Sequence, residues 1–157
     1  MKKNSNYYLT TEQIYDRISM TTKRKGVLNM KVLVLSNNNF EVKEINNKLE
    51  DLQKIVGGYI EIPFLSEVFY ENGIDMIINE EGKFIEECKP EIAVVRKDTN
   101  EVLDVVHGNC IFASHDDEGE TIGLSEEQLA VVMKELKMDV LLSYRGGKQM
   151  TVRALFI

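Results

Sequence analysis

Four side chains near the end of the chain have the types that hold a phosphate or a base. Tyr144, Arg145, Lys148 and Arg153 surround the turn Arg145-Gly146-Gly147-Lys148. Arginine forks onto phosphate oxygens, and tyrosine stacks on a base. A charged hairpin tip also keeps an edge soluble, and that ordinary device is the better reading of these residues taken alone. A second cluster, Ser114-His115-Asp116-Asp117-Glu118-Gly119-Glu120, gathers imidazole and carboxylate groups. Its acids are consecutive rather than alternating, which splays them apart, and the spacing of a calcium loop is absent. His115, Asp116 and Asp117, with His107 as the other histidine, make at most a thin metal set; a solvated loop is the better reading. His107 and Cys110 stand three apart in an expected strand, where they point to opposite faces, so a nucleophile–base pair is disfavoured.

Gly57-Gly58 poses a sharper question, since glycine pairs beside helices bind phosphates. A phosphate cradle needs the N–H groups of a helix N-terminus. These glycines follow a helix, at its carbonyl-rich end, and one is expected to take the left-handed conformation that stops it.

The elements that position these groups read as follows. Thr10 and Gln13 form a capping box ahead of a basic helix with Ile14 and Ile18 on one face, fading at Lys23-Arg24-Lys25. Residues 1–29 are therefore expected to be a helical extension, and 30–157 one domain. KVLVL (31–35) and FEVKEI (40–45) make a hairpin through Asn37-Asn38-Asn39. A helix follows at 47–56, then strands at 58–64 and 73–79. Asn79-Glu80-Glu81-Gly82-Lys83 makes a turn whose glycine can take positive φ, with Phe84-Ile85 resuming the sheet. EIAVVR (91–96) and EVLDVV (101–106) make another hairpin, and 108–114 one more strand. Ser125 and Gln128 cap a helix with Leu129, Val132, Met133 and Leu136 inward. VLLSY (140–144) and QMTVRALFI (149–157) close the chain as a hairpin over a two-residue Gly-Gly turn. The pattern predicts an α+β fold: a mainly antiparallel curved sheet with two or three helices on one face and a C-terminal β-hairpin.

Length and charge set the outer bounds. With 157 residues and 43% hydrophobic content there is material for one core. No apolar run suits a membrane span, MKKNSNYY lacks a signal-peptide core, and two isolated cysteines suit a reducing cytoplasm. The net charge of -7 conceals a basic start and end around residues 32–136, which carry eight Lys/Arg against 23 Asp/Glu. Such a body disfavours nucleic acid and permits a basic protein partner or a nucleotide held in one local basic pocket, while solubility accounts for most of these charges.

The segments FEVKEINNKLEDLQKIVGGYIEI, INEEGKFI and GNCIFAS, then an acidic loop and LSEEQ, resemble the domain of unknown function 3846 family over about residues 30–136. The basic N-terminal helix, the hairpin at 91–106 and the C-terminal hairpin at 137–157 depart from its usual short form. The resemblance implies an accessory protein of phages, plasmids or conjugative elements, and brings no agreed catalytic residues. It leads to the expectation of a non-catalytic, cofactor-free cytoplasmic homo-oligomer that counters host defence by sequestering a small nucleotide signal at Tyr144, Arg145, Lys148 and Arg153. The alternative is an acidic inhibitor of a defence nuclease or effector, of anti-CRISPR or anti-restriction type. A metal-dependent hydrolase using His107, His115, Asp116 and Asp117 is the weakest reading.

Overall fold

A computed structural model of the protein describes residues 29–144 and 146–157; the expected basic helix and Arg145 lie outside these residues. In chain order the elements are β1 (Asn29–Ser36), β2 (Asn39–Asn46), α1 (Leu49–Val56), β3 (Ile60–Glu61), α2 (Glu67–Glu71), β4 (Ile74–Asn79), a 3-10 turn (Gly82–Phe84), β5 (Pro90–Val95), β6 (Val102–His107), β7 (Cys110–His115), β8 (Thr121–Ile122), α3 (Glu126–Glu135), β9 (Asp139–Tyr144) and β10 (Lys148–Phe156). The fold is α+β and almost wholly antiparallel. A larger sheet runs β2-β1-β7-β4-β3, with β8 beside β7, and a smaller one runs β6-β5-β10-β9. Only β10 and β5 pair in parallel among the described strands.

Strand alternation allots the apolar residues to distinct layers. Leu33, Leu35, Ile74, Met76, Cys110 and Phe112 of the larger sheet face Ile92, Val106 and Leu155 of the smaller one, with Phe69 of α2 and Leu129, Val132 and Leu136 of the α3 region completing the main core. Each fully buried Leu, Ile or Phe there contributes about 1.5–3 kcal/mol. The opposite face of the larger sheet, with Val32, Val34, Ile77 and Ile111, is closed by Leu52 and Val56 of α1. Helices therefore lie on both faces of that sheet rather than one. The near-continuous apolar runs of β1 and β7 require it, because both of their faces leave water.

Several turns follow directly from residue type. Asn37 and Asn38 take φ of 51° and 61°, the geometry that joins twisted strands in a tight hairpin. Gly57 ends α1 at φ 85°, its N–H donating to Gln53 O at 2.8 Å. Ser125 and Gln128 form the expected capping box on α3.

Elsewhere the local reading gives way. The strand expected at 58–64 pairs only at Ile60 and Glu61, since Pro63 has no N–H to donate. Ser66 instead caps the short helix α2, its side chain accepting from Phe69 N at 3.3 Å. Gly82 does not take positive φ; a Cβ there would stand 2.5 Å from His107 O, so glycine is required for closeness. Phe84 ends the 3-10 turn in solvent and does not resume the sheet. Tyr144 stands opposite Lys148, so three residues rather than two connect β9 to β10. Among the described residues, no helix is long and apolar enough to cross a membrane.

Candidate functional site

Of the described candidate residues in the C-terminal hairpin, Tyr144 and Lys148 are cross-strand partners at its tip, while Arg153 lies apart from them. Arg153 is buried on the inner face of β10, its guanidinium 4.8 Å from the Phe40 ring centre. Its two terminal nitrogens donate to Leu136 O and Asn38 O, each at 3.2 Å, and Nε lies 3.7 Å from Asp139 Oδ1. Lys148 is exposed at the other end of the strand, about 17 Å away at strand rise. An odd separation also puts the two side chains on opposite faces. The Tyr144 ring packs 5.9 Å from that of His107. Arg153 thus links β10, the β1–β2 turn and the end of α3.

The other clusters also resolve into structure. His107 ends β6 and Cys110 begins β7, in different sheets, with Gly108 at φ 86° between them. His107 Nδ1 lies 3.2 Å from Cys88 O. Burial, with the Glu91 carboxylate nearby, pushes the Cys110 thiol far up, so no thiolate forms near neutral pH. In the acidic loop, Asp116 Oδ1 accepts the N–H groups of Glu118 and Glu120 at 3.0 and 2.9 Å. His115 turns away from it, its Nδ1 3.0 Å from Asp75 Oδ2. His115, Asp116 and Asp117 therefore do not converge, and among the described residues no three His, Cys, Asp or Glu side chains come together to hold a metal ion.

A different site emerges where the expected strand at 58–64 fails to form. Residues 62–65 run as an irregular strap between β3 and α2. On one side of it lies a cavity of about 170 Å3 with Ile74, Met76 and Phe69 as its buried floor. Its rim carries Phe64 and Tyr70, 69% and 68% exposed, their rings edge-on at 5.5 Å. Ile62 forms a further wall, and the His115–Asp75 pair stands at one end. That pair is a hydrogen bond only when Nδ1 carries the proton, which leaves Nε2 as the acceptor in the neutral ring. The neighbouring hydroxyls are already used. Ser66 caps α2, and Ser114 donates to Gly73 O and accepts from Gln128 Nε2, each at 2.8 Å. On the other side of the strap, a second cavity of about 150 Å3 is lined by Ile78, Asn79, the Lys83–Asp104 ion pair and His107.

The family model described as Domain of unknown function (DUF3846) matches residues 30–137. The chain belongs to the DUF3846 family. In this DUF3846 protein the matched range runs from β1 through α3, including the β5–β6 hairpin, and stops before β9. No curated protein and no solved structure matches the chain.

The charge around the strap is one-sided. Between Lys54 and Lys83 there are six acids and no Lys or Arg; between Lys97 and Lys134 there are nine acids and again none. These two stretches fold together as β3, α2 and β4 against β6, β7 and β8, so the aromatic rim sits within acidic chain on both sides. The expected strands at 58–64 and 73–79 give no sign that Phe64, Tyr70 and Asp75 meet at one cavity. Pro63 and the two cation-free stretches were the signals that bore on them.

Proposed function

We propose that this DUF3846 protein is a non-catalytic binding protein that engages a basic protein partner through its acidic, strap-side face. The observation that carries the reading is the absence of Lys and Arg from two long stretches that pair in the larger sheet. A face of this kind competes with polyanions for a basic surface and speeds encounter with it. In the mobile-element setting that the family resemblance implies, a host-defence nuclease or effector with a cationic channel is the class of target. The proposal includes a cytoplasmic location and a homo-oligomer. Sequestration of a nucleotide draws less support, because Arg153, one of its four side chains, is engaged inside the fold.

The test is to purify the tagged full chain from host bacteria, identify what accompanies it by mass spectrometry, and titrate the complex with salt. A partner with a basic surface should bind at least roughly tenfold more weakly at about 0.5 M than at about 0.05 M salt. Salt-independent binding overturns the reading. Denaturing the same sample and finding a released nucleotide restores sequestration, and native mass gives the subunit number.

A further inference from the structure

Resting on the acidic-face reading, we propose that the cavity beside the strap is the docking site for an extended cationic segment of the partner, in which Arg or Lys side chains alternate with aliphatic ones. Three observations support that choice of occupant. The floor is apolar and closed by Ile74, Met76 and Phe69, so it takes an aliphatic side chain rather than a charge. The Phe64–Tyr70 pair presents ring surface to solvent at the rim, where a guanidinium or ammonium gains from the ring quadrupole. Cation-free, acid-rich chain lies on both sides, and Asp75 stands within the lining itself.

The sheet adds a reason for an extended shape. β3 pairs only with Ile78 and Asn79 of β4, while β7 occupies the other side of β4 from Ile74 to Ile77. Among the described residues no strand lies on the β3 side of β4 along Ile74–Ile77; the irregular strap that follows β3 lines the cavity there. An extended segment laid in the groove between the strap and β4 presents alternate side chains to opposite sides, aliphatic ones to the floor and cationic ones to the rim. An acidic or all-polar peptide satisfies neither the floor nor the charge.

The experiment uses the full chain and three acetylated, amidated hexapeptides, of alternating leucine and arginine, serine and arginine, and leucine and glutamate. Binding is followed by fluorescence titration and by amide shifts in 1H–15N spectra. The leucine–arginine peptide should bind best and shift the amides of Phe64, Tyr70, Asp75 and Met76. Its dissociation constant should rise at least ~tenfold in a Phe64→Ser/Tyr70→Ser variant, with Tyr70→Phe restoring much of the loss. Both side chains are mostly in solvent, so the variant should keep the wild-type circular dichroism and melting midpoint. Equal binding of the serine–arginine peptide, shifts mapping elsewhere, or no binding by any peptide overturns the docking site. The first two outcomes leave the acidic-face reading standing; that reading fails separately, on loss of salt dependence.

Discussion

The carboxylate of Glu91, at the start of β5, accepts the N–H of Asn37 at 2.7 Å across the gap between the two sheets. Its other oxygen accepts the N–H of Asn38 at 3.0 Å. One buried acid thus satisfies both donors of the left-handed turn that joins β1 to β2. The carbonyl of Asn38 is taken by Arg153 from the smaller sheet. This network ties a turn of one sheet to two strands of the other.

Glu91→Gln should cost about 1–3 kcal/mol, because an amide accepts one of the two N–H groups and turns its own NH2 toward the other. Urea unfolding near neutral pH measures it. Gly substitutions at Asn37 and Asn38, which keep the turn geometry and both N–H groups, should cost less.

The same carboxyl gives a pH dependence of defined sign. Burial pushes it above its ordinary 4.5, and the two turn N–H groups only partly offset this. The folded state therefore holds the proton more tightly than the unfolded state. This contribution is fully present below the ordinary carboxylate value and is lost as pH rises through the higher folded value. In Glu91→Gln it should vanish, so the stability gap between the variant and the native protein should narrow as pH rises. Urea midpoints between about pH 4 and 7 check this.

Arg153→Met should destabilise by about 2–4 kcal/mol, since the carbonyls of Leu136 and Asn38 lose a charged donor inside the fold. Lys148→Ala, at an exposed strand end, should stay within about 0.5 kcal/mol. Chemical denaturation of the two variants side by side separates the buried arginine from the surface charge.

Gly82→Ala should be costlier than Gly57→Ala. At Gly82 the new methyl meets the His107 carbonyl at 2.5 Å, and backbone must move. At Gly57 the penalty is conformational, about 1 kcal/mol for a left-handed residue at a helix end, with the nearest atom 3.9 Å away. Thermal melts of the two variants give the order.

Iodoacetamide on the native protein should label Cys88 slowly and leave Cys110 unmodified until the chain unfolds. Burial pushes both thiols up, but only Cys110 is wholly enclosed. Intact and peptide mass spectrometry, with and without urea, reads the sites.

Local chemistry carried much of this fold in the sequence. The paired asparagines, the Ser125–Gln128 cap, the glycine after α1 and the apolar runs of β1, β5 and β7 each point to what the structure has. What escaped depended on contacts distant in the chain. Nothing near Gly82 announces that His107 packs against it, and nothing near Arg153 announces carbonyls at Leu136 and Asn38. Sequence proximity in the hairpin corresponds to cross-strand pairing for Tyr144 and Lys148 but not for Arg153, five residues further along β10. An apolar stretch can pair as strand or stand at an exposed rim, and at 58–64 only the pairing of β4 distinguishes them.

The parallel pairing of β10 with β5 sets an order of assembly. During synthesis the β5–β6 hairpin emerges early, yet the strand that completes its sheet follows only after β7, α3 and β9. Until β10 arrives, one edge of β5 around Ile92–Val95 is bare and apolar, a template for wrong partners. A chain lacking β9 and β10 would hold the family-matched region complete in sequence but open at a seam, and there a chaperone would have most to protect.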